Sequence, residues 1–164
     1  MVLEHMRLEN AHQFTECAAV FGHPRYEVVA TGEVHDATDG VVGFLLENRE
    51  AFADFHFTPS RVAAAGDAVL VEGLFTGTHT GTWRGLPATG RKLSLRMALV
   101  FDFEDDQLVC ERLYFDLGTA LRQLGVARDP MSRVGRIATA LNHPLTVTRA
   151  AVRALFLGHR RDTV

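Results

Sequence analysis

The chain has 164 residues, of which 47% are hydrophobic and 23% are charged, and its formal net charge is −3. The length suits one domain, and the apolar content excludes a disordered chain, which would combine few apolar residues with high net charge. The overall negative charge argues against nucleic acid as a partner, because nucleic-acid-binding domains carry basic patches.

The N-terminal part alternates helix and strand. Apolar residues at helical spacing predict a first helix over residues 4–21, which Gly22-His23-Pro24 ends. Aromatic and β-branched residues predict a strand from Tyr26 to Val34. Thr38 or Asp39 can cap a second helix that runs to about Phe52.

The middle of the chain consists of predicted strands separated by short turns. These strands are His56–Ala65, Ala68–His79, Arg91–Glu104 and Gln107–Phe115. Helices followed by an antiparallel meander predict an α+β fold with the helices on one face of a sheet. The other face of such a sheet is left for solvent or a partner.

The C-terminal part is predicted to be helical. A short helix, Leu117–Leu124, ends at Gly125, and residues 126–130 form a linker. Two further helices follow, Met131–Leu141 and one from Pro144 to about Leu157. We therefore divide the chain into a body, residues 1–125, and an extension, residues 126–164.

The body and the extension differ in charge. The body has ten basic and eighteen acidic residues, a net charge of −8, whereas the extension has seven arginines and two aspartates, a net charge of +5. We expect the extension to pack on the body or on a dimer mate. The alternatives are attachment to a membrane surface through the last helix, where Arg149 and Arg153 lie one turn apart, and binding to a protein partner.

The chain carries no sign of secretion or membrane insertion. No segment has the roughly 20 apolar residues of a membrane span, and the first residues lack the apolar run of a signal peptide. Cys17 and Cys110 lie far apart in the sequence, as expected for free thiols in a reducing compartment. We expect a cytoplasmic protein.

The strand from Gln107 has one face that changes from apolar to polar. By alternation, this face carries Leu108, Cys110, Arg112, Tyr114 and Asp116. An apolar floor with a few convergent polar groups is typical of a ligand cavity. Alternatively, the face is exposed to solvent and Asp116 only caps the following helix.

Motifs for metals and cofactors are missing from the sequence. The chain has eight histidines, and His35-Asp36 with Asp39 offers ligand types, but no HExxH or similar spacing occurs. A Gly-x-Ser-x-Gly nucleophile motif and a phosphate-binding loop are also missing. We expect neither a metal nor a cofactor.

Several motifs resemble those of a known family. They are Gly77-Thr78-His79-Thr80-Gly81, the run from Gly85 to Arg91 (GLPATGR), Tyr114-Phe115-Asp116 and Gln123-Leu124-Gly125. Over residues 4–125 the chain resembles SnoaL-like polyketide cyclases of the nuclear transport factor 2-like superfamily. The resemblance implies a cone-shaped α+β fold, in which a strongly curved sheet wraps around helices and leaves an apolar cavity. It also implies a homodimer through the outer face of the sheet.

The resemblance implies a reaction as well. In these cyclases an aspartate near the end of a late strand is the general acid/base of an intramolecular aldol ring closure, without metal or cofactor, and Asp116 matches that position. Related members isomerise ketosteroids or open epoxides, and many have no known activity. The chain departs from the usual Pro-Pro-Thr-Gly at Ala88, and its basic extension lies outside the family pattern.

The candidate site combines these motifs with acid–base chemistry. A carboxylate in an apolar pocket has a raised pKa and is a better base near neutral pH, so Asp116 is the expected base, with His79 as its catalytic partner. The expected substrate-binding residues, some of which could hold an enolate oxygen, are Tyr114, Arg112, His56, Tyr26 and Trp83. An arginine close to Asp116 would instead lower its pKa and form a structural ion pair.

Two functions remain open from the sequence. The first is a cofactor-free cyclase or isomerase acting on a small apolar carbonyl compound. The second is a non-catalytic protein that binds a ligand in its cavity or serves as a dimeric scaffold. The long connection between Thr76 and Ser94 is predicted to be architectural, with glycines chosen for backbone bends, and His79 could simply hold that loop.

Overall fold

The computed structural model describes residues 1–158, with side chains up to residue 154, and consists of two units. The first unit is Met1–Val126 and the second begins at Ala127. The last six residues of the basic extension, 159–164, lie outside the described residues. The packing of the extension on the body stays a prediction.

The first unit contains four helices and one six-stranded sheet. In chain order the elements are α1 Val2–Asn10, α2 Phe14–Ala18, β1 Arg25–Val28, β2 Glu33–Asp36, α3 Ala37–Ala51, β3 His56–Ala65, β4 Ala68–Thr78, β5 Lys92–Glu104, β6 Gln107–Phe115 and α4 Leu117–Gln123. The sheet order is β2-β1-β6-β5-β4-β3, with β1 parallel to β6 and all other neighbours antiparallel. The α+β fold with a mixed sheet is thus confirmed.

Two predicted N-terminal elements are each divided in the structure. The helix predicted over residues 4–21 is wrong as one element, because the chain turns between α1 and α2, where His12 has φ +57°. The Asn10 side chain fixes this turn, since its amide donates to the Phe57 carbonyl and accepts from the Phe57 N–H, both at 2.8 Å. The strand predicted from Tyr26 to Val34 is the β1–β2 hairpin, which turns at Gly32 with φ +74°.

The hydrophobic core lies between the helices and one face of the sheet, which we call the inner face. Helical side chains such as Cys17 and Leu45 pack in one cluster with strand residues such as Val28, Phe101 and Leu108. Burial of this apolar surface is the main stabilising contribution to the unit. Both cysteines are free thiols, as predicted.

A β-bulge in β6 reverses the alternation of side chains near its start. Asp102 pairs with Cys110 and Phe103 pairs with Leu108, so Val109 has no partner. A bulge inserts one residue into one strand, and the residues on either side of it change face relative to simple alternation. Leu108 therefore lies in the core, whereas Cys110 and every second residue after it face away from the helices. We call this other side of the sheet the outer face.

The long connection between β4 and β5 is held by its glycines. Gly85 and Gly90 have φ +79° and +67°, a region that side chains disfavour. A Cβ atom at Gly81 would collide with the Glu50 carbonyl at the end of α3, while the Gly81 N–H donates to the Ala51 carbonyl at 3.1 Å. The architectural role predicted for these glycines is confirmed.

The second unit contains two helices, α5 Arg133–Asn142 and α6 Pro144–Gly158. Ser132 caps α5 by accepting a hydrogen bond from the Gly135 N–H at 2.9 Å. The apolar residues Val134, Ile137 and Leu141 of α5 are exposed. Among the described residues, no helix has the length and apolar character that crossing a membrane requires.

Candidate functional site

A cavity of about 70 Å³ opens between α1, α3 and the inner face of the sheet. Its walls are largely aromatic and aliphatic. The polar residues of its lining are Glu9, Asn10, Asn48, Arg84 and Glu111. A mostly apolar wall with a few polar groups is the usual composition of a small-molecule site.

Two carboxylates of the cavity wall converge on one histidine. Glu111 in β6 lies with Oε2 2.9 Å from Nε2 of His5, and Glu9, one helical turn after His5, has Oε2 3.6 Å from the same nitrogen. His5 is fully buried behind the wall, and Glu111 is only 1% exposed. The three residues form a charged cluster at an apolar cavity.

Tyr26 and Cys17 complete the hydrogen bonds of this cluster. The Tyr26 hydroxyl lies 2.9 Å from Nε2 of His5 and 3.4 Å from Oε2 of Glu9. On the other side of the imidazole, Nδ1 lies 3.2 Å from Cys17 Sγ and 3.3 Å from the Cys17 carbonyl. Because the carbonyl can only accept, Nδ1 carries a proton, and Nε2 faces the carboxylates.

Burial and mutual charge perturb the pKa values of the cluster. Burial, together with repulsion by Glu111, raises the pKa of Glu9 to about 7, although His5 and Tyr26 act in the opposite direction. Burial alone would lower the pKa of His5, but hydrogen bonds with Cys17 and Glu111 outweigh it and raise that pKa well above 6.5. Near neutral pH, His5 is therefore charged, and Glu9 is present in both its protonated and its ionised form.

The comparison with protein families matches residues 5–124 to the SnoaL-like polyketide cyclase model. The chain belongs to this family. Comparison with curated proteins gives no match. The recognition made from the sequence motifs is thus confirmed.

Solved structures share the fold of this SnoaL-like protein at low sequence identity. AclR from Streptomyces galilaeus is 20% identical with a TM-score of 0.68, over 85% of this chain and 91% of that chain. A nuclear transport factor 2-like protein of unknown function from Burkholderia pseudomallei is 18% identical with a TM-score of 0.64, over 75% and 93%. IdmH from Streptomyces antibioticus is 25% identical with a TM-score of 0.58, over 73% and 92%.

Asp116 does not line the cavity of this SnoaL-like protein. It precedes α4, its side chain is 65% exposed, and it accepts from the Thr119 hydroxyl at 2.6 Å and from Arg122 at 3.3 Å. The Thr119 hydroxyl and nearby backbone N–H groups lower the pKa of Asp116. The expected position of Asp116 on the cavity wall is wrong because of the bulge in β6, and the arginine that pairs with its carboxylate is Arg122. A catalytic role for Asp116 stays a prediction.

Three predicted substrate-binding residues lie away from the cavity, two of them, Arg112 and Tyr114, because of the bulge in β6. Arg112 lies on the outer face, where it pairs with Asp102 at 2.6 Å and Glu27 at 3.1 Å. Tyr114 is 41% exposed, and the next residue, Phe115, lines the cavity. His56 is exposed beside cavity-lining Phe57, so alternation directs it to the outer face.

The other predicted site residues lie on the inner side. Trp83 lines the cavity, and Tyr26 lies in the cluster behind it. His79 is fully buried, stacks on Phe52 with ring centroids 5.1 Å apart, and accepts a hydrogen bond at Nδ1 from the Thr89 N–H at 3.2 Å. His79 thus holds the β4–β5 connection, as its structural interpretation predicts, and burial lowers its pKa.

The β4–β5 connection reaches the cavity through Trp83 and Arg84. Arg84 forms an ion pair with Glu33 at the start of β2, and both Trp83 and Arg84 also line a second, more polar pocket of about 300 Å³. Burial would raise the pKa of Glu33, but the bond from Arg84 lowers it. The Arg84–Glu33 pair therefore links the connection to the β1–β2 hairpin beside the cavity.

His5, Glu9 and Cys17 also have donor atoms within 4.8 Å of one another, a group that sequence motifs did not indicate. Nitrogen, sulfur and oxygen donors of this kind suit a zinc ion. However, His5 directs its two nitrogens in opposite directions, one to Cys17 and one to Glu111 and Tyr26. Each donor is already hydrogen-bonded within the cluster, so the arrangement is consistent with a proton network.

Sequence reasoning missed His5, Glu9 and Glu111. Two signals were present. His5 and Glu9 are four residues apart, which places them on one face of a helix. Glu111 alternates with apolar Leu113 and Phe115 on the other face of the same strand, which the sequence analysis did not consider as a cavity wall. A carboxylate among apolar inward residues is rarely buried unless it is paired.

Proposed function

We propose that this SnoaL-like protein is a cofactor-free acid–base enzyme that acts on a small apolar carbonyl compound in its cavity. The observation that carries the proposal is the position of Glu9, a carboxylate on an apolar cavity wall that contacts both His5 and Tyr26. A carboxyl group with a pKa of about 7 is matched to proton transfer near neutral pH. Membership of the family supports the same class of chemistry.

In this mechanism Glu9 removes a proton from the carbon next to the substrate carbonyl. The C–H bond breaks, its electron pair moves toward the carbonyl oxygen, and the proton binds to a Glu9 oxygen. The charged His5 neutralises Glu111 across 2.9 Å. Arg84, a cation of the cavity lining, can donate a hydrogen bond to the developing enolate oxygen, as an oxyanion-stabilising group must. Return of the proton to another carbon gives isomerisation. Attack of the enolate carbon on a second carbonyl gives ring closure, and the resulting alkoxide oxygen takes the proton from Glu9.

The size of the cavity limits the substrate. A volume of about 70 Å³ has room for roughly half a dozen water-sized groups. Sites for drug-sized ligands are about 300–1,000 Å³. A small ketone or ester fits the cavity as it stands, and a polycyclic substrate requires Trp83 or its connection to move.

Proton exchange tests this proposal with any small ketone or ester that enters the cavity. Candidate compounds would first be tested for binding by ligand-observed NMR. Binders would then be incubated with the protein in D₂O, and loss of the α-proton signal would be followed. We expect exchange above the buffer rate, reduced at least about 100-fold in Glu9→Gln, because general base catalysis contributes about 10²–10⁴-fold. Binding without exchange would instead favour the non-catalytic ligand-binding alternative.

We also propose that the protein forms a homodimer and is cytoplasmic. The homodimer through the outer face would cover exposed Leu74 and Tyr114. Sedimentation of the purified chain measures its mass directly, and a monomer at micromolar concentration would contradict the dimer. A cytoplasmic location is expected from the sequence alone.

A further inference from the structure

The side chains that line the cavity carry more negative than positive charge. Among the described lining residues, Arg84 is the only cation, and it pairs with Glu33. Glu111 is balanced by His5, which lies behind the wall. Glu9 is the remaining carboxylate, and its 3.6 Å distance to the same His5 nitrogen is longer than a hydrogen bond. The wall thus has a carboxylate whose charge is only partly compensated.

Aromatic rings form much of the surface of the cavity that this carboxylate lines. Phe52 contacts Trp83 edge-on with centroids 5.6 Å apart, and Phe55 stacks on Phe75 at 5.8 Å. All four rings line the same cavity as Glu9. The faces of aromatic rings attract cations, and several rings around one small cavity are a recognised arrangement for alkylated ammonium groups.

We propose that the cavity selects small ligands that carry a protonated or quaternary ammonium group, which pairs with Glu9 and contacts the surrounding aromatic rings. The inference rests on the proposed function in that it places the ligand in the same cavity, and it adds a positive charge to the ligand. An alkylammonium group supplies the positive counter-charge that Glu9 lacks. Its methyl groups are apolar and suit the apolar wall. A tetramethylammonium ion, with its four methyl groups on one nitrogen, is within the space that about 70 Å³ provides.

The groups around Glu9 determine how binding depends on pH. His5 on the same helix and the Tyr26 hydroxyl from β1 favour its ionised form, whereas Glu111 from β6 opposes it. Cys17 from α2 is a neutral thiol, because burial raises its pKa. A cationic ligand binds best to ionised Glu9, so its affinity rises as the pH increases through about 7.

Choline and its neutral isostere, 3,3-dimethylbutan-1-ol, provide the test. The two molecules have nearly the same shape and differ in charge, so the ratio of their dissociation constants measures the electrostatic contribution. We expect choline to bind the full-length protein at least about tenfold more tightly at pH 8, and the ratio to fall severalfold between pH 8 and pH 6. Isothermal titration at both pH values gives these constants.

Matched variants assign the effect to Glu9. Glu9→Gln should remove both the preference for choline and its pH dependence, whereas Glu4→Gln, on the exposed face of the same helix, should retain both. Equal or tighter binding of the neutral isostere to the wild-type protein at pH 8 would overturn the inference, even if Glu9→Gln did not fold. Absence of binding by both choline and the smaller tetramethylammonium ion up to 10 mM would also overturn it. Proton exchange on neutral ketones is measured separately, so the inference and the proposed function can fail independently.

Discussion

The Glu111 carboxylate lies 2.9 Å from Nε2 of His5 and so joins the last strand of the sheet to the first helix, 106 residues earlier in the chain. Both side chains are almost completely buried. His5 also contacts Phe21 and Phe101 edge-on, with ring centroids 5.1 and 5.7 Å away. A buried ion pair of this kind fixes the position of α1, and with it the position of Glu9 at the cavity.

Removing one member of this pair should destabilise the protein strongly. In Glu111→Ala, the buried and charged His5 loses its partner, and such losses cost about 3–5 kcal/mol. Urea unfolding at pH 7 measures the free energy of unfolding. The control is Arg7→Ala, which removes the exposed Arg7–Glu4 pair and should leave the unfolding midpoint unchanged. A Glu111→Ala midpoint equal to that of the wild type would show that the pair does not fix α1.

The raised pKa of Glu9 gives a prediction about stability and pH. Its folded pKa of about 7 exceeds the ordinary 4.5, so the folded protein binds more protons than the unfolded chain between these values. Stability is therefore lost as the pH rises through that range. Glu9→Gln cannot ionise and should be more stable than the wild type at pH 8, by up to about 3 kcal/mol.

Urea unfolding of both proteins from pH 4 to pH 8 checks this prediction. The difference should disappear toward pH 4, where Glu9 is protonated in both states. His5 changes the stability of the wild type and of Glu9→Gln in the same direction, because its raised pKa also favours the folded state at lower pH. A difference independent of pH would indicate an effect of packing rather than ionisation.

Strand β6 shows which features of this fold the sequence could predict. Its bounds, Gln107–Phe115, and the turn before it follow from its apolar and aromatic residues and the Asp105-Asp106 pair, and the structure has the same strand. The side chains could not be assigned to faces, because Val109 has no feature that distinguishes a bulged residue. One inserted residue exchanges the two faces and moves Arg112 and Tyr114 outside.

The charged cluster at the cavity could not be predicted from the sequence, for a related reason. The glycines of the β4–β5 connection stand in two recognisable motifs and Trp83 lies between them, so this segment could be found by resemblance. His5, Tyr26 and Glu111 come from three distant segments, and only the parallel pairing of β1 with β6 brings Tyr26 opposite Glu111. That pairing skips four intervening strands of the chain, which local sequence patterns do not encode.

Asp116→Asn tests the assignment that the family motif suggests. Because Asp116 is exposed and bonded to Thr119 and Arg122, we expect the variant to bind cavity ligands with unchanged affinity and to exchange ketone α-protons within about twofold of the wild-type rate. Glu9→Gln measured in parallel should lose exchange by about 100-fold or more. The reverse result, with exchange lost only in Asp116→Asn, would restore Asp116 as the base and require α4 to move toward the cavity.

Gly81→Ala should destabilise the protein, since the connection that carries Trp83 packs directly on the end of α3. The new methyl group would collide with the Glu50 carbonyl, which is backbone and cannot rotate away, so we expect a loss of about 2 kcal/mol. Gly43 within α3 is the matched control, because a Cβ atom there has nothing within 4 Å. Gly43→Ala should stabilise the protein by up to about 1 kcal/mol through helix propensity. Thermal unfolding of the two variants measures both effects, and a Gly81→Ala midpoint at or above that of Gly43→Ala would contradict the close packing of the connection on α3.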